Sequence, residues 1–160
     1  MAVKVTIQNK QRKIKVTPEM RKLIRTACVA TLKSEAFRQS AEIDVSVVDD
    51  EQIKEINRDC RGIDKATDVL SFPLGDNGEF DANPSTGALM LGDVVLSAEH
   101  AVAQGELFGH GAEREIAYLT VHSVLHLLGY DHVHSPAEKA NMRAHEEAVM
   151  KIMGLTVNKE

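Results

Sequence analysis

Apolar positions near the N-terminus come every second residue: Val3, Val5 and Ile7 alternate with Lys4, Thr6 and Gln8. That period of two is the mark of a half-buried strand. Asn9 to Lys13 reads as a turn, with Ile14 and Val16 continuing a hairpin. Thr17-Pro18 then places a hydroxyl cap and a proline where a helix begins. Met20, Leu23, Ile24, Ala27, Cys28, Leu32 and Phe37 fall on one stripe and predict a helix to about residue 37, with Cys28 a buried thiol. Ile43, Val45 and Val47 predict a second strand, and Asp49 or Asp50 caps a short helix that carries Ile53 and Ile56 and ends before Gly62. A third strand covers about Val69–Phe72 and stops at Pro73. Residues 73–87, rich in Gly, Pro, Asn and Asp, form the long loop. A fourth strand over Leu89–Leu96 is interrupted at Gly92-Asp93. Ser97 caps a helix to about Gln104, a further helix runs from near Gly111 to Leu128 and stops at Gly129, and Ser135-Pro136-Ala137-Glu138 launches a last one to about Met153. Without internal repeat or linker, residues 1–160 read as one domain. Strands before, between and after helices predict an α+β fold or mixed three-layer arrangement, with a four-stranded mixed sheet and about five helices.

Composition narrows the class. With 43% apolar and 27% charged residues the chain is ordinary for a soluble globular protein. No apolar run approaches the roughly 18–20 residues of a membrane helix. The first residues carry no secretory h-region, and Cys28 and Cys60 are too few for a disulfide framework, so a cytoplasmic location is expected. The net charge of −5 argues against bulk coating of nucleic acid. Its distribution adds a different message: residues 1–65 hold 14 Lys and Arg against 10 Asp and Glu, residues 66–160 hold 5 against 14. The basic first forty residues read either as a polyanion-facing surface or as a solvated face.

The chemistry concentrates in His122-Ser-Val-Leu-His126-Leu-Leu-Gly129-Tyr-Asp131-His132. Positions four apart share a helix face, so His122 and His126 can converge on one zinc, and the turn at Gly129 brings His132 toward the same ion. Three imidazoles leave a coordination position open, the pattern of catalytic zinc at the end of the His122–Gly129 helix. The plain alternative is that one histidine is a satisfied core residue. The spacing matches the metzincin proteases except that Ser123 replaces their glutamate base, which removes the usual route to peptide hydrolysis. Asp131 reads as an acceptor that orients a histidine or caps the turn. Asp68 and Asp93 read as structural acceptors, Ser123 as a helix-surface residue and His134 as a weak ligand candidate. Tyr130 could stack on a base or simply pack. His100, His110 and His145 fit no pattern and read as surface or capping residues.

Asn57-Arg-Asp-Cys-Arg61-Gly62 and Thr67-Asp68-Val-Leu-Ser71-Phe72-Pro73, together with Leu91-Gly92-Asp93 and the histidine stretch, resemble the YbeY family of bacterial metal-dependent endoribonucleases. The shared motifs span roughly residues 57–134. The resemblance implies a single-strand-specific endoribonuclease acting in 3′-end maturation of small-subunit ribosomal RNA and in ribosome quality control. It implies one zinc ion held by His122, His126 and His132, and a functional arginine at Arg61. The implied partners are single-stranded ribosomal RNA, the small subunit and its assembly factors. Two positions depart from the family pattern: Cys60 replaces a usual aromatic residue, and Ala66 a common proline. Both bear on loop shape. Two other readings stand beside the nuclease: a metallopeptidase with metzincin-like spacing, and a non-catalytic assembly factor braced by zinc.

Overall fold

The computed structural model describes residues 2–76, 78–131 and 135–156. His132 and His134 therefore lie outside the described residues. Four strands, β1 (Val3–Asn9), β2 (Ala41–Val48), β3 (Val69–Pro73) and β4 (Leu89–Ser97), form one sheet in the order β1-β2-β4-β3. β1, β2 and β4 run parallel, and β3 lies antiparallel to β4 on the edge. Among the described residues five helices accompany them: α1 (Pro18–Ser34), α2 (Asp50–Arg61), α3 (Ala98–Leu107), α4 (Ala112–Leu127) and α5 (Pro136–Ile152). The fold is thus α+β with a four-stranded mixed sheet, as the pattern predicts.

The expected hairpin at Ile14 and Val16 does not form. β1 pairs in parallel with β2, and a side chain takes the place of a partner strand. Buried Gln11 donates from Nε2 to the carbonyl of Ile14 at 2.8 Å and accepts the Ile14 N–H on Oε1 at 2.9 Å. Backbone groups that would otherwise need a ladder are satisfied locally. Nor does Gly92-Asp93 interrupt β4. Leu91 is instead an extra residue where the register with β2 shifts, a bulge that keeps the strand continuous. Gly92, at φ +144°, is needed there: a Cβ would come within 2.4 Å of the Phe72 carbonyl oxygen and 2.8 Å of Leu127. α1 ends at Ser34, and Phe37 packs against the core from beyond the helix.

One sheet face, with Ile43, Val45, Val47, Leu91, Val94 and Leu96, packs against Ile24 and Leu32 of α1, Ala101 of α3, and Leu119 and Leu127 of α4. Cys28 lies fully within this core, and burial pushes its thiol up to about 12. On the opposite face Ile53 and Ile56 of α2 pack with Val48, Leu70, Phe72 and Val95. α5 lies over α1 and α4, with Met142, Val149 and Met150 against Ala117, Val121 and Leu125. α4 is consequently enclosed by sheet and helices, and ten of its sixteen residues are buried. Side chains at its C-terminal end have little freedom to wander. Among the described residues, no helix is long and apolar enough to cross a membrane.

Candidate active site

A cleft of about 810 Å³ opens between the C-terminal end of α4, the edge strand β3 and the end of α2. His122, His126 and Arg61 all line it, so three of the four residues singled out for chemistry share one space. His122 and His126 stand one turn apart on α4, with Nε2 atoms 3.1 Å apart and rings nearly perpendicular at 80°. Gly129, at φ +109°, follows the helix and turns the chain back beneath His126. The Tyr130 carbonyl then accepts from His126 Nδ1 at 2.8 Å. A carbonyl only accepts, so Nδ1 carries the proton and Nε2 presents its lone pair.

His122 is oriented from farther away in the chain. Its Nδ1 bonds to the carboxylate of Glu146 on α5, and the other oxygen of that carboxylate accepts the Tyr118 hydroxyl at 3.0 Å. Glu146 is only 4% exposed. A carboxylate on Nδ1 fixes the tautomer that puts the lone pair on Nε2, the arrangement found behind metal-ligating histidines. Two nitrogen lone pairs facing each other at 3.1 Å repel, and a shared cation relieves that repulsion. Bonds of roughly 2.0–2.1 Å at a tetrahedral zinc would hold two such nitrogens about 3.3–3.4 Å apart. The donor pair therefore fits a divalent ion. Among the described residues no group of three His, Cys, Asp or Glu side chains converges, and His132 lies beyond them.

Ser123 does not face solvent, as the sequence suggested. It is fully buried, and its Oγ lies 2.5 Å from Ser71 Oγ, tying α4 to β3. A glutamate could not occupy that place as a base without burying its charge against the sheet. Asp68 behaves as the expected structural acceptor: Oδ1 takes the Val69 N–H at 2.7 Å, Oδ2 takes Gln104 Nε2 at 3.2 Å, and the residue lines the cleft. Asp93 lies outside the cleft, directly across from Asp44. Partial burial and then that neighbour hold its carboxyl above the usual carboxylate range. Asp131 lines the cleft, and the carboxylate that orients His122 is Glu146.

The remaining histidines are not plain surface residues. His110 is buried against Glu115 at 2.9 Å, His100 pairs with Asp50, and His145 Nδ1 lies 2.7 Å from Glu35. The Tyr130 ring packs on His145 with centroids 4.7 Å apart, and burial followed by Glu35 pushes its hydroxyl up to about 12. Sequence reasoning missed Glu146. The available signal was a glutamate standing on the apolar stripe of Met142, Val149 and Met150, where a charge survives only with a partner. The basic residues of the first forty positions do not line the cleft; Lys13 instead sits 3.7 Å from Glu99.

Comparison with known proteins gives the family. The model of the family described as Endoribonuclease YbeY matches residues 6–154. The chain belongs to the YbeY endoribonuclease family. A YbeY of Caldicellulosiruptor bescii is 46% identical over 158 residues, covering 96% of this chain and 99% of the relative. One of Clostridium botulinum (strain 657 / Type Ba4) is 47% identical over 164 residues, covering 94% and 98%. The solution structure of a Thermotoga maritima protein shares the fold at a TM-score of 0.57 and 23% identity, over 94% of this chain and 91% of that one. Of the residues that carry the resemblance, Arg61, Thr67, Ser71, Pro73, His122 and His126 line a single cleft, and Leu91-Gly92-Asp93 does not.

Proposed function

We propose that this YbeY family member is a zinc-dependent endoribonuclease specific for single strands. It acts in the cytoplasm on small-subunit ribosomal RNA, at the 3′ end and in ribosome quality control, together with the subunit and its assembly factors. The observation that carries the reading is the pair of imidazoles 3.1 Å apart, each with Nδ1 engaged, in the same cleft as Arg61. His122, His126 and His132 would hold the ion, and residues 1–160 form one endoribonuclease domain.

When bound, zinc supplies a Lewis acid and a water of lowered pKa. The chain's own residues do the rest. Glu146 and the Tyr130 carbonyl hold the two rings at Nδ1, so that neither rotates away when substrate enters. Arg61 ends α2 at the cleft wall, where its fork of donors grips phosphate oxygens and stabilises charge gathering at phosphorus. Buried Ser123 offers no carboxylate base, which disfavours the peptidase reading. A phosphodiester brings the negative charge that Arg61 can hold.

The test uses purified protein with its zinc content measured. It is incubated with single-stranded RNA, duplex RNA and casein, with and without chelator, beside a His126→Ala control prepared identically. Cleavage of single-stranded RNA alone, lost with chelator and restored by zinc, is the expected result. Casein cleavage would favour the peptidase, and an inert but folded, zinc-loaded protein the assembly factor.

A further inference from the structure

β3 is an edge strand, and its outward side lines the cleft. Hydrogen bonds at its two ends fix which residues face outward. Ser97 N–H donates to the Asp68 carbonyl at 2.9 Å and Leu74 N–H to the Leu91 carbonyl at 3.0 Å. In an antiparallel pair the bonded residues alternate, so residues 68, 70, 72 and 74 bond to β4. The backbone groups of Val69, Ser71 and Pro73 then point away from the sheet, and all three residues line the cleft.

An ordinary free edge offers donors and acceptors in equal number, but this one does not. Pro73 has no N–H, and the Val69 N–H is taken by the Asp68 carboxylate at 2.7 Å. What remains is three carbonyls against one N–H, that of Ser71, and none of these four groups has a partner among the described residues. Successive outward carbonyls stand two strand residues apart, about 6.6–6.8 Å.

Such an edge suits a ligand that brings donors. A peptide strand would need N–H groups from Val69 and Pro73 and finds neither. Phosphate oxygens are repelled by carbonyl oxygens and belong instead with Arg61. Resting on the nuclease reading above, we propose that the free edge of β3 takes ribose 2′-hydroxyls of a single strand lying along the cleft. It is thereby the element that selects RNA over DNA. The 2′-hydroxyl is the donor that DNA lacks.

Short single-stranded RNAs carrying one 2′-deoxy or one 2′-fluoro sugar, scanned through every position except the cleaved nucleotide, test the assignment on the zinc-loaded protein. Fluorine keeps the ribose pucker but cannot donate, so it separates hydrogen bonding from sugar shape. The expected result is that both replacements raise KM about five- to tenfold at two or three positions near the cleaved bond and are neutral elsewhere. A protein variant gives an independent readout. Asp68→Ala frees the Val69 N–H and adds a donor to the edge, narrowing the preference for RNA over the all-deoxy competitor, while Asp68→Asn keeps the acceptor and the preference. If unmodified RNA is cleaved but every 2′ replacement is tolerated, or if only base changes matter, the edge assignment is overturned and the nuclease stands. Absence of chelator-sensitive RNA cleavage overturns both.

Discussion

The two walls of the cleft are built to different standards. On the α4 side, a helix enclosed by sheet and helices presents two imidazoles, each fixed at Nδ1 by one partner. On the opposite side Arg61 is exposed at the last position of α2, and β3 contributes the unpaired half of its backbone. On the proposed reading, the difference follows from what each wall would hold. A metal ion tolerates errors of only a few tenths of an ångström in its ligands, so its histidines belong on the most buried element. A flexible polyanion moves to meet its partner, so a long cationic side chain and a strand edge serve it without being locked. In free-energy terms, the α4 wall supplies preorganisation and the Arg61 wall supplies adaptable charge.

The comparison is broken most severely at His126. His126→Ala leaves His122 Nε2 without its neighbour, and zinc content should fall to background while RNA cleavage drops by about a thousandfold or more. Zinc analysis of the folded variant, checked by circular dichroism, decides it; a variant that stays active without metal would remove the metal wall from the mechanism altogether. Arg61→Ala should cost about 100- to 1000-fold in kcat, the usual range for one donor to a charged transition state, with zinc content unchanged. Loss of metal in that variant would mean the two walls are not separable.

Glu146 sharpens the same contrast at lower cost. In Glu146→Gln an amide replaces one carboxylate oxygen. If the Gln oxygen keeps the Tyr118 hydroxyl, its NH2 meets the protonated Nδ1 of His122, two donors facing one another. Zinc affinity, measured by competition with a chromophoric chelator, should weaken about 10- to 100-fold. Arg61→Ala should leave that affinity alone. Equal zinc affinity in Glu146→Gln and the unmodified protein would show that the carboxylate does not orient His122.

These expectations show where the sequence was legible. His122, His126 and Gly129 lie within eight residues of one another, and helical geometry alone brings the rings together. The holder of His126 is equally local, since Tyr130 is the next residue after the turn. Glu146 lies 24 residues from His122 and meets it only because α5 packs across α4, a tertiary contact that no local spacing encodes. The strands were visible from their alternation, yet β1 was read as half of a hairpin. Its true partner, β2, begins more than thirty residues later and pairs in parallel. The bulge at Leu91 escaped notice for a related reason: Gly92 looks like a break until Phe72 and Leu127 are seen pressing on it. Arg61 entered only through the family resemblance, because an exposed arginine at a helix end has no local signature of function.

The smallest effect is expected where the two walls are joined. Ser123 Oγ and Ser71 Oγ share the one side-chain hydrogen bond seen between α4 and β3 among the described residues. Ser123→Ala removes a fully buried hydroxyl and leaves Ser71, which is half-buried on the cleft side, free to find water. The net cost should be about 1 kcal/mol, lowering Tm by about 2–4 °C for a chain of this length. If the walls act separately, zinc content and KM stay as they are and kcat changes less than about threefold. The histidines are held from α5 and from Tyr130, and none of those contacts passes through Ser123. A drop of tenfold or more in kcat with zinc retained would instead mean that β3 is kept in register with the metal wall through this bond. The cleft would then have to be treated as one rigid surface.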